Sequence, residues 1–140
     1  MIPASAKISY ALVCAAGLVL AATGIGTFAL GKAPMTHWVL MAHVAAAPVF
    51  ALGLAALALT WSGLCRDGVD ARLSGPAKAL LWLVLLAGLV VTLSGVVPMT
   101  PLLGTPGQHF LYLTHRYSAM VLTAAVLLHL ALVACRKERE

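Results

Sequence analysis

The chain has 140 residues, of which 62% are hydrophobic and only 9% charged, and its mean hydropathy is +1.01. Soluble domains carry roughly a quarter charged residues, so a water-soluble enzyme, a disordered chain and a disulfide scaffold are excluded, and an integral membrane protein is implied. The formal charge of +5 does not signal nucleic-acid binding, because the positive residues cluster at the ends of apolar runs.

Four such runs follow one another: Ile8 to Leu30, Trp38 to Trp61, Ala77 to Val97 and Phe110 to Cys135. Each is close to the length of about 20 residues that a helix needs to cross a bilayer core, and none shows the two-residue alternation of a membrane β-strand. The pattern predicts an all-α, four-helix membrane bundle in one domain, with helices over about 8–30, 37–61, 77–97 and 109–135. The first run is longer than the apolar core of a signal peptide, so it reads as a retained helix. Breakers separate the runs: Gly31 and Pro34, Gly63 and Gly68, Gly75 and Pro76, then Pro98, Pro101, Gly104, Pro106 and Gly107. Pro76 suits the first turn of the third helix, and Pro48 falls inside the second, where a kink is expected. No internal repeat stands out.

Charge gives an orientation. Lys7, Arg66, Arg72, Lys78, Arg136, Lys137 and Arg139 fall on one side, whereas the first connection holds only Lys32 and the third holds no basic residue. The positive-inside rule then places both termini in the cytoplasm, with Trp38, Tyr112 and Tyr117 at the outer interface and Tyr10, Trp61 and Trp82 at the inner one. Cys14, Cys65 and Cys135 lie toward the reducing face, so structural disulfides are not expected. The sequence has no C-x-x-C-H for covalent haem and no C-x-x-C for thiol chemistry. All four acids (Asp67, Asp70, Glu138 and Glu140) lie outside the apolar runs, which weakens an ion-coupled transporter. The connections are too short for a folded extramembrane domain, so soluble chemistry belongs to another polypeptide.

Polar groups inside apolar helices are costly and point to function. His43, His115 and His129 sit within their runs, whereas His37 and His109 sit at helix mouths, where solvated interfacial positions are the simpler reading. His115 and His129 are fourteen residues apart, which returns them to within about 40° of one helix face at an axial distance of about 21 Å. One helix could thus serve two stacked haem groups, or each His could bond a neighbouring helix. The second and fourth helices run in the same direction, so His43 and His115 lie at matching depth and could ligate one iron from opposite sides. Arg116 has no carboxylate in the helices to neutralise it. A haem propionate would supply that anion, or the side chain could snorkel to lipid phosphate. Gly17, Gly24 and Gly31 recur every seven residues, as do Gly88 and Gly95. They leave either a groove for a flat macrocycle or room for close helix contact.

The stretches GQHFLYLTHRYSAMVLTAAVLLHLALV and WVLMAHVAAAPVF resemble the last and second helices of the four-helix b-type cytochromes of bacterial respiratory membranes. The resemblance covers under a third of the chain. It implies haem b held by His43 and His115, with His129 as a ligand to a second haem. In that family the other ligand of the second haem is a His at the start of the first helix. Here Lys7, Ser9, Tyr10 and Cys14 stand in that region instead.

The function this implies is a membrane electron-transfer subunit of an oxidoreductase complex in the bacterial inner membrane, passing electrons between the quinone/quinol pool and a partner. That partner is a periplasmic multihaem cytochrome or a metalloenzyme. His37, His109, Lys32 and Tyr112 are candidates for a quinone site at the outer mouth. Two other classes compete. One is a copper transport or binding protein using the outer histidines; the other is a haem-free membrane anchor of a larger complex.

Overall fold

The structure, a computed structural model, describes residues 4–32, 34–66 and 75–137. Four helices account for nearly all of them: α1 (Ala4–Ala29), α2 (His37–Arg66), α3 (Gly75–Val96) and α4 (Thr105–Lys137), with a single 3-10 turn over Val97–Met99. All four are long and apolar enough to cross a membrane. Arg72, Arg139 and the four acids lie outside the described residues.

The helix ends differ from expectation for local reasons. α1 stops at a turn in which Lys32 N–H donates to the Thr27 carbonyl (2.8 Å) and Gly31 N–H to that of Phe28 (3.0 Å). Gly31 adopts φ +65°, the left-handed conformation that this double-bonded helix ending requires. α2 runs on through Gly63 to Arg66, and it continues unbroken across Pro48. α4 begins at Thr105, so Pro106 and Gly107 belong to its first turn rather than to the connection. There the missing N–H of Pro106 leaves no intrahelical bond unmade. His37, the first residue of α2, has φ +53°, a region sparsely used by residues with a side chain.

The chain forms two antiparallel hairpins, α1–α2 and α3–α4, which meet more sparingly through α2 against α3 and α1 against α4. α2 and α4 therefore stand diagonally across the bundle. One end carries the start of α1, the end of α2, the start of α3 and the end of α4; the other carries the opposite ends of the same helices. We refer to these as the terminal half and the hairpin half.

Packing is concentrated in the terminal half. The apolar core joins Val13, Ala16, Phe50, Leu54, Leu57, Trp61, Leu81, Val84, Leu85, Ala87, Leu122 and Ala125, and toward the hairpin half it ends at Val91. Lipid tails are as apolar as leucine, so close van der Waals fit rather than the hydrophobic effect holds such helices together. Glycine supplies that fit. A Cβ on Gly53 would come within 3.1 Å of Val13, and one on Gly88 within 2.7 Å of Leu54. Tyr10 and Trp61 join this interior, a correction to their expected place in an aromatic belt. Trp38, Trp82, Tyr112 and Tyr117 do lie exposed on the outside.

Candidate functional site

The hairpin half is built differently. Among the described residues from 17 to 49 on α1 and α2, and from 105 to 121 on α4, none is fully buried. α3 alone contributes buried groups at that level, Val91 and Ser94. Small residues (Ala21, Ala22, Gly24, Ala45, Ala46, Ala47) are frequent on α1 and α2 here.

At this level the diagonal helices bring His43 and His115 together, with ring centroids 6.3 Å apart and planes inclined at 70°. Each ring is seated by the partner helix of its own hairpin. Thr23 on α1 donates its hydroxyl hydrogen to the Val19 carbonyl (2.7 Å), so its oxygen is left to accept from Nδ1 of His43 at 2.8 Å. On α3 the Val91 carbonyl, which can only accept, lies 2.9 Å from Nδ1 of His115. Ser94 Oγ is further off, at 3.5 Å. His115 therefore carries hydrogen on Nδ1, and His43 does so as well when Thr23 gives its own hydrogen to Val19; each Nε2 is then left with a lone pair. A metal-binding histidine is normally held this way, its second nitrogen donating to a carbonyl or hydroxyl.

The glycine heptads acquire a definite role at this level. A Cβ on Gly24 would stand 3.3 Å from Cε1 of His43, and one on Gly95 would stand 3.1 Å from Cε1 of His115. Nothing larger than glycine leaves the rings where they are. The two hairpins thus repeat one device, a hydroxyl residue followed by glycine on the first helix, receiving a histidine from the second. Thr23-Gly24 precedes His43, and Ser94-Gly95 precedes His115, by nearly equal lengths of chain. Sequence inspection missed this repeat because it consists of three residues in two dissimilar apolar backgrounds. The signal that finds it is the polar-glycine pair at matching distance ahead of each histidine.

Arg116 lies beside this pair. Its guanidinium carbon sits 3.9 Å above the Phe28 ring centre and 5.6 Å from that of Tyr117, and its Nε is buried without a hydrogen-bond partner. Aromatic faces attract the cation, but they offer no acceptor to the buried Nε.

His129 belongs to the terminal half. It is buried, at 7% exposure, with its ring centroid 6.0 Å from that of Tyr10 and tilted by 55°. Its Nδ1 has no partner, and neither has the buried Nε1 of Trp61. Unlike His43, it has no second histidine across the bundle. His37, His109, Lys32 and Tyr112 are all exposed residues of the hairpin half. Among the described residues no group of three or more His, Cys, Asp or Glu side chains converges as a metal cluster would. Cys14, Cys65 and Cys135 are free thiols.

No protein-family model, curated protein or solved structure matches the chain.

Proposed function

We propose that this chain is a haem b-binding membrane electron-transfer subunit, with His43 and His115 as the axial ligands of one iron. The observation that carries this reading is the opposed imidazole pair with both Nδ1 atoms tied back to neighbouring helices. The spacing also fits. Metal–imidazole bonds of about 2 Å on either side, plus about 1 Å from each nitrogen to its ring centre, separate the centroids by about 6 Å. The observed separation is 6.3 Å. Haem would supply one-electron chemistry at this position, its potential set in part by axial ligand identity.

The protein's own residues do the rest. The Thr23 and Val91 oxygens fix the orientation of the two rings, and Gly24 and Gly95 give them room. Arg116 provides an N–H donor and a positive charge for a carboxylate such as a propionate, which answers its unpaired Nε. The apolar helices keep water from the site. His129 is the candidate ligand for a second haem. On this reading the termini face the cytoplasm of a bacterial inner membrane, where Lys7 and Lys78 flank the spans. A quinone then approaches the hairpin end near His37, His109, Lys32 and Tyr112. Electrons pass to or from a periplasmic cytochrome or metalloenzyme, since the chain carries no extramembrane domain within the described residues.

The purified chain is expected to show Soret and α absorption bands that change on reduction with dithionite. His43→Ala and His115→Ala should each abolish them. A colourless wild-type chain that inserts and folds normally overturns the proposal.

A further inference from the structure

The two ligands are not held alike, and the difference points to a residue with a function of its own. His115 donates to the Val91 main-chain carbonyl, an acceptor that no side-chain substitution removes. Nδ1 of His43 instead lies 2.8 Å from a side chain, the Thr23 hydroxyl on α1. The Thr23 hydroxyl is itself anchored, since its hydrogen goes to the Val19 carbonyl, with Leu20 O a second acceptor at 3.2 Å. Its lone pairs therefore have a fixed direction, toward His43. Gly24, next in sequence, keeps the ring close enough for that contact to form.

We propose that Thr23 is a positioning residue: its oxygen accepts the Nδ1–H of His43, fixing both the tautomer and the tilt of that ring across from His115. The inference rests on the ligand role proposed above for His43. A hydrogen bond from the far nitrogen raises the basicity of a ligating imidazole and so favours the more oxidised metal. Removing the acceptor withdraws that support from one ligand only, leaving the Val91 arrangement on the other side intact. Thr23 is thus a side-chain control over the potential of the site, and one that acts between two helices of the same hairpin.

The test uses the full chain in lipid nanodiscs, comparing wild type, Thr23→Val and Thr23→Ser. Valine keeps the branched shape and removes the acceptor, and serine restores it. The expected result is a midpoint potential shifted upward in Thr23→Val with haem content retained, and a return toward the wild-type value in Thr23→Ser. A Thr23→Val chain with full haem content and an unchanged potential overturns the proposal. Nitrogen-15 NMR of the haem-free chain supplies a reading that does not depend on haem. His43 should be protonated at Nδ1 in wild type and show a mixture of tautomers in Thr23→Val. An unshifted tautomer overturns the role of Thr23, even if the absorption bands are present. Absent bands with the expected tautomer change refute haem binding and leave the Thr23 contact standing. If Thr23→Val fails to insert, the wild-type spectrum decides, and an unprotonated Nδ1 on His43 is the result that refutes it.

Discussion

The two halves of this bundle solve opposite problems with the same kinds of residue. In the terminal half glycine lets helices close on each other, so that Gly53 meets Val13, Gly88 meets Leu54, and the interior fills with leucine, valine and tryptophan. In the hairpin half Gly24 and Gly95 occupy equivalent places on their helices but receive imidazole rings. There the apolar core has ended. A stripe of small residues therefore has no fixed meaning in a membrane helix. What faces the glycine decides whether the stripe makes a contact or a seat.

Several substitutions break or sharpen this contrast. The largest effect on haem content belongs to the glycine seats. Gly24→Leu or Gly95→Leu should reduce haem content at least about tenfold, equivalent to about 1.4 kcal/mol, because the added side chain displaces the ring outright. Haem per chain by pyridine haemochrome checks it, and near-normal content would mean that the rings have other positions open to them. Leu54→Ala should do the reverse, leaving the absorption bands intact while lowering stability by roughly 2 kcal/mol, mostly the cost of the cavity. Denaturation in mixed micelles measures that cost. A loss of haem as large as the loss of stability would show that the two halves are not separable. The smallest effect is expected at His129. His129→Leu removes a buried Nδ1 that has no partner but also the ring's hydrogen bond to the Ala77 main chain, and the two should nearly cancel, changing stability by no more than about 1 kcal/mol. A halving of haem content in that variant would instead establish His129 as the ligand of a second haem.

The architecture was legible in the sequence because lipid imposes a length on every spanning helix. Apolar runs near 20 residues, separated by glycine and proline, locate four helices without reference to packing. Their ends were less legible. Pro106 is a breaker in one context and an accepted first-turn residue in another, and only the N–H bookkeeping of the folded helix distinguishes the two. The pairing of His43 with His115 followed from depth along parallel helices, a quantity that residue counting supplies. The hydrogen bonds behind the rings did not follow. They depend on rotation of α1 and α3 about their own axes, which places Thr23 and Val91 against the rings, and the weak amphipathicity of these helices leaves rotation unspecified. Tyr10 and Trp61 were misplaced for the same reason, since an aromatic near a helix end suits the membrane interface and the bundle interior equally.

One feature of the connectivity reaches beyond the site. Each hairpin owns one imidazole and the means of seating it, and the hairpins touch each other only sparingly. Neither is competent alone. Two helix pairs would meet through the shared core of the terminal half, leaving their hairpin ends to be joined by something else. An iron shared between His43 and His115 would be that clasp, so the same bond that tunes an electron carrier would also complete its assembly.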